Sequence, residues 1–169
     1  AALGKKVETH RDSFVYSGAP WDLTVALDLR RQQVKQLVEP GQINLKHSHG
    51  GIVTLEYAIQ YLQVMHGHRH PSLRTPNTLL ALAALIDVGL IPRATGENLR
   101  KSYLFIRMLI DGLRMVRGNT KDLVIPPPDS DEFIFLARRV GYQTEDWQAG
   151  AKHLLSDIEQ HMKQNREFF

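Results

Sequence analysis

There is no cysteine among the 169 residues. Disulfide frameworks, thiolate zinc sites and cysteine nucleophiles are excluded, and a reducing, cytoplasmic setting is the expectation that fits. Charge of one sign is scarce as well: 21 Lys/Arg oppose 18 Asp/Glu, for a formal charge of +3. That surplus is weaker than a dedicated nucleic-acid binder carries, so no nucleic-acid partner is expected, although a phosphate-bearing ligand or an acidic partner would suit it. The longest apolar run, 79–91, is too short to cross a bilayer and contains Asp87, so membrane insertion is not expected. With polar sequence after Ala1–Lys6, no secretory leader is expected. Twelve glycines and eight prolines are too few for a collagen-like or broadly disordered chain.

What is present is helical periodicity. A stripe of Leu23, Leu27, Val34, Leu37 and Val38, with Arg30, Arg31 and Lys35 off it, predicts a helix over 22–38 that ends at Glu39-Pro40-Gly41. After Gly50-Gly51, the positions Ile52, Leu55, Ile59, Leu62 and Met65 predict a second helix. Thr75 is the expected N-cap of a third, with Pro76 at its first position; its nearly all-apolar run from Leu79 to Leu85 predicts a helix in the middle of a bundle. A long fourth helix is expected from near Thr95 to Gly118. A fifth is expected over 130–140 after the stiff Pro126-Pro127-Pro128 connector, and a sixth over 145–164 with Trp147 on its buried side. Before all of these, Ser13-Phe14-Val15-Tyr16 reads as a short extended stretch. No strand–helix alternation is visible. The expectation is an all-α bundle of about five to six helices with short loops.

Few residues announce chemistry. His47/His49 and His66/His68/His70 are spaced by two, which on an extended segment could gather imidazoles on a metal. They lie beside glycines without interwoven carboxylates, so solvated loop histidines and no metal site are expected. Asp129-Ser130-Asp131-Glu132 contains the Asp-x-Asp pattern of magnesium sites. Following three prolines and opening a helix, it reads better as a cap. Lys46 with Gly50-Gly51 before a helix could form an anion corner, because glycine admits close backbone approach and helix N-terminal amides point at the anion; a tight turn that needs glycine on steric grounds is the plainer reading. Arg100, Arg107 and Arg114 recur every seven residues, with Arg117 and Lys121 beyond. Asp111 makes part of this row an ion-pair ladder, while Arg107, Arg114 and Arg117 remain candidates for a phosphate or partner face. No nucleophilic triad, phosphate loop or dinucleotide fingerprint is present, and no catalytic residue is expected within the chain.

The run Leu45-Lys46-x-x-x-Gly50-Gly51-Ile52-Val53-Thr54-Leu55-Glu56-Tyr57, followed by Gln60, resembles the Leu-Lys-x-x-x-Gly-Gly-[Ile/Leu]-x-Asp-[Ile/Leu]-Glu-[Phe/Tyr]-x-x-Gln signature of bacterial glutamine synthetase adenylyltransferases. The same helical module follows the nucleotidyltransferase domain in the uridylyltransferases of nitrogen regulation. The likeness continues through His70-Pro71-x-Leu73-Arg74-Thr75-Pro76-Asn77, Tyr103-Leu104-Phe105-Ile106-Arg107 and Phe135-Leu136-Ala137-Arg138-Arg139-x-Gly141-Tyr142, so it covers nearly the whole chain. The resemblance implies an accessory helical domain (22–169) behind an extended linker (1–21) from an upstream nucleotidyltransferase domain. It implies ATP and magnesium handled by the parent protein, and glutamine synthetase and a small nitrogen-signalling protein as partners. It further implies that Lys46, Gly50, Gly51 and Glu56 edge a nucleotide site supplied by another domain; the rival expectation is a purely regulatory interaction module. Thr54 departs from the signature, which has aspartate there, so no role for that carboxylate carries over.

Overall fold

In the computed structural model, which describes residues 2–119 and 122–169, seven α-helices follow one another. They are α1 (Ala2–Val15), α2 (Leu23–Leu37), α3 (Ile52–His66), α4 (Thr78–Asp87), α5 (Arg93–Arg117), α6 (Asp131–Arg139) and α7 (Trp147–Phe168), with a 3₁₀ turn at Pro71–Leu73. No strand forms among the described residues. An isolated antiparallel bridge pairs Asn44 with Val124, tying the α2–α3 loop to the α5–α6 loop. No described helix is long and apolar enough to cross a membrane. The all-α expectation holds, with one helix more than expected.

The additional helix is α1. Ser13 to Tyr16, expected to be extended, is helical as far as Val15. No glycine or proline interrupts 5–16, and Leu3, Val7 and Phe14 recur at helical spacing, so nothing local stops the turns. Smaller corrections have equally local causes. The N-cap of α4 is Asn77, whose Oδ1 accepts from Leu80 N at 3.0 Å, rather than Thr75. Helix α5 starts at Arg93 behind Pro92, so Thr95 lies inside the first turn and caps nothing.

Two packed clusters share α5. One joins Ile106, Leu109, Ile110 and Leu113 of α5 to Phe133 and Leu136 of α6, Leu154 and Ile158 of α7, and Leu45, Ile52 and Val53. The other joins Leu55 and Ile59 of α3 to Leu82 and Leu85 of α4, with Leu73, Ile91 and Leu99. Helix α4 is therefore not central: Ala81, Leu82 and Leu85 are buried while Leu80 stands 61% exposed. Apolar content alone says nothing of how many neighbours a helix has. Trp147 is likewise exposed, covered on one face by the Arg138 guanidinium at 5.0 Å.

Candidate functional site

The loop that enters α3 is folded by its own polar atoms. Asn44 Oδ1 accepts from the amides of Lys46 and His47, and Ser48 Oγ accepts from Asn44 N. The helix-start amides, which would have to face an anion, are taken as well. Gly51 N donates to Ser48 O at 2.8 Å, Ile52 N to Leu45 O at 3.0 Å, Val53 N to Lys46 O at 3.2 Å and Gly50 N to Thr54 Oγ1 at 3.1 Å. A helix N-terminus whose orphan donors are satisfied internally offers no nest for phosphate.

Gly50 and Gly51 are buried, and the reason is close approach. A Cβ on Gly50 (φ +85°) would stand 2.0 Å from Met162 O, and one on Gly51 would stand 2.8 Å from Leu45 O. Asn165 Nδ2 of α7 donates to Gly50 O at 2.9 Å, so the glycine corner is the seam on which α7 closes. The steric reading of these glycines is the one the geometry supports.

The group that completes the corner is Arg30, placed by its sequence position off the apolar stripe of α2. It is 2% exposed, and its Nη2 donates to His47 O at 2.7 Å, Ser48 O at 3.0 Å and Thr54 Oγ1 at 3.1 Å. Ala26 and Arg30 are the buried positions of α2, while Leu23 and Leu37 are exposed, so the helix is rotated from the orientation its leucines suggest. Arg30 supplies donors to the His47 and Ser48 carbonyls, and this outcompetes leucine burial for that helix face, since buried carbonyls short of donors are costly. Burial draws the Arg30 pKa down, against the Tyr57 phenol; Nε has no partner and no described carboxylate pairs with the group. A signal existed in the sequence: four residues on from Ala26, an arginine facing a glycine turn that lacks the signature's aspartate at Thr54.

Other predicted residues do converge. Lys46 is exposed at the mouth of the loop and Glu56 is half-buried one turn into α3. Burial pushes the Glu56 carboxyl above its ordinary range, while Arg107 of α5, Lys46 and the Tyr103 hydroxyl pull it back. Lys46, Glu56 and Arg107 therefore share one edge where α3 meets α5.

The rest of the arginine row does not join them. Arg114 pairs with Asp111 at 3.3 Å. Arg117 is 14% exposed and held by Glu132 and by Asp122 at 2.9 Å, which fastens α5 to α6 and the intervening loop. Lys121 lies outside the described residues. Ser130 caps α6 by accepting from Phe133 N, with Asp131 and Glu132 in the first turn, as the capping expectation has it.

Among the described residues no three His, Asp or Glu gather as a metal site. The histidines instead impose a pH dependence. Burial comes first among the causes that lower the pKa of His47, His49, His66 and His161; neighbouring cations add to it at the first three, whereas Asp157 opposes it at His161. The folded chain thus binds fewer protons than the unfolded one below the ordinary imidazole value of about 6.5. Stability is full above that pH and falls as pH drops from it toward the folded-state values. Glu56, with its raised pKa, acts oppositely near the acid end: its contribution is present below the ordinary carboxylate value and lost as pH rises through the folded one. The urea midpoint should therefore fall from pH 7.5 to 5.5. A midpoint that is level across that range would contradict the burial of these imidazoles.

Residues 25–169 match the family model described as GlnD PII-uridylyltransferase. The chain is 35% identical over 122 residues, 72% of its length, to the bifunctional glutamine synthetase adenylyltransferase/adenylyl-removing enzyme of Corynebacterium glutamicum. It is 32% identical over 168 residues, 98% of its length, to that of Corynebacterium efficiens, and 37% identical over 120 residues, 69% of its length, to that of Mycobacterium tuberculosis. It spans 11%, 15% and 12% of those three relatives, respectively.

Proposed function

The chain belongs to the GlnD PII-uridylyltransferase family, and on that footing we propose that it is the helical accessory domain of a nucleotidyltransferase of the glutamine synthetase adenylyltransferase type, orienting a nucleotide held mainly by another domain. The observation that carries the nucleotide part is the Lys46–Glu56–Arg107 edge, two free cations flanking a half-buried carboxylate. Lys46 and Arg107 would meet phosphate oxygens as charged donors, the task proposed here in place of the glycine amides. Glu56 would hold the two cations apart and accept from a nucleotide hydroxyl or amine, with Gly50 and Gly51 setting the loop's position.

The docking part rests on apolar side chains of α1 and α2: Leu3, Val7, Phe14, Val25 and Leu29 are 54–83% exposed. Apolar exposure on that scale marks a surface that is covered in the working protein. We assign it to the nucleotidyltransferase domain of the parent. Magnesium does not fit this chain alone: one carboxylate at the edge cannot make the oxygen shell the ion requires. ATP and magnesium then belong to the other domain, with glutamine synthetase and a nitrogen-signalling protein as the parent's partners in the cytoplasm.

The test is Lys46→Ala with Arg107→Ala in the full-length parent. With two charge-assisted contacts removed, the KM for ATP should rise by at least about tenfold, with a smaller change in kcat. Exposed Arg100 and Arg107 on α5 favour a second reading, a regulatory docking face with no part in catalysis. Unchanged KM together with lost response to the regulatory protein would select it.

A further inference from the structure

A cavity of about 520 Å³ lies between α1, α2, α3 and the stretch that precedes α4. It opens about a quarter-turn round α3 from Glu56, because Tyr57, Gln60, Tyr61 and Val64 form the stripe that faces it. Its size is that of small-molecule sites, which commonly sit at domain boundaries.

The wall is aromatic. Tyr57 and Tyr61 stand half-buried one turn apart on α3, and Trp21, 55% exposed, and Tyr16 line the same cavity. Guanidinium groups of Arg74 and Arg11, at 5.5 and 6.0 Å from the Tyr16 ring, hold that wall in place and are both engaged by Asp12. The other three rings do not stack on one another among the described residues, and all three line the cavity.

The wall also contains one fixed hydrogen-bond acceptor. Gln63 is 7% exposed, and its Nε2 donates to both Leu73 O and Thr75 O. Both amide hydrogens are therefore in use on carbonyls, which forbids a flip of the amide. Among the described residues, no group donates to the Oε1 of this clamped, buried side chain. A wholly apolar guest would strip it of water without return. A cationic guest is disfavoured by the guanidinium groups behind Tyr16.

We propose that this cavity takes a nucleobase, stacked among Trp21, Tyr57 and Tyr61, with a ring N–H or exocyclic amine donating to Gln63 Oε1. The proposal deepens the reading above by giving the base a place on this chain, and the free mononucleoside is the form it commits to. Base–aromatic stacking tolerates every base, whereas the clamped Gln63 Oε1 asks for a donor at the ring edge.

Trp147→Phe leaves Trp21 as the one tryptophan reporter, since the chain has two. Titration of that variant with adenosine and cytidine should quench Trp21 fluorescence saturably, with half-saturation at or below about 1 mM. N6,N6-dimethyladenosine, which stacks but has no donor at that edge, should bind roughly tenfold more weakly for want of one hydrogen bond. Tyr61→Leu should abolish the quench while a melting curve shows the fold retained. No saturable quench by any nucleoside, or equal binding of the dimethyl analogue, overturns the proposal. Binding of an oligo-dA strand far more tightly than adenosine would transfer the cavity to nucleic acid and also overturn it. The two readings fail separately: nucleoside quenching should persist in Lys46→Ala/Arg107→Ala, and the KM effect of those variants does not require the cavity.

Discussion

Gly50→Ala is expected to cost more than about 3 kcal/mol and to leave little cooperative unfolding, a large share of the ~5–15 kcal/mol that holds a domain together. Two effects add at that residue. Its φ of +85° charges any Cβ about 1–2 kcal/mol. The same Cβ would lie 2.0 Å from Met162 O and 2.8 Å from Met162 C, backbone atoms of α7 that cannot swing aside. Relief would require α7 to move off the α3 loop, which would break the Asn165–Gly50 hydrogen bond and open the cluster around Ile158 and Met162. Gly41→Ala is the matched control: its φ is +80° and nothing lies within 4 Å of its Cβ, so it should carry the backbone cost alone. Urea unfolding of both variants gives the comparison. If Gly50→Ala falls within about 1 kcal/mol of Gly41→Ala, the seam is looser than described.

The second large effect concerns Arg30 and Thr54. Arg30→Met removes the donors to His47 O, Ser48 O and Thr54 Oγ1 and should cost about 3 kcal/mol, the usual scale for orphaning buried polar partners. Thr54→Asp should behave in opposite ways in the two backgrounds. With Arg30 present, the new carboxylate meets a buried guanidinium that has no anionic partner, and stability should rise. With Met at position 30, the same carboxylate is buried beside Gly50 N alone and stability should drop sharply. The double-mutant cycle should then give a coupling above about 2 kcal/mol. Additive effects would mean that the Arg30 guanidinium does not pair with a carboxylate at position 54. The sign of the coupling is the robust quantity, because the net worth of a buried ion pair varies from site to site.

Much of the architecture was readable from residue order, and the misses have identifiable causes. Helix α5 was plain because Leu99, Ile106, Leu109, Ile110 and Leu113 recur at its period and Gly118 ends it, a signal that needs no neighbour. Helix α1 departs from the extended reading of Ser13–Tyr16 because four residues are too short a window to show the helical spacing of Leu3, Val7 and Phe14. In the candidate site, Lys46 and Glu56 were legible through the resemblance and do share an edge with Arg107. The anion role of the glycine amides was not sustained, because whether an amide is free depends on which carbonyl folds back on it.

Composition and periodicity were enough to specify an all-helical protein without disulfide or membrane-spanning helix, since propensity, capping and apolar spacing act within a few residues of one another. Which face of α2 turns inward, why α7 needs a glycine at position 50, and which cavity Tyr57, Gln63 and Trp21 line together were decided by contacts between segments distant in the chain. Those choices rest on satisfying buried carbonyls and fitting backbone against backbone, and neither can be counted until the helices are packed.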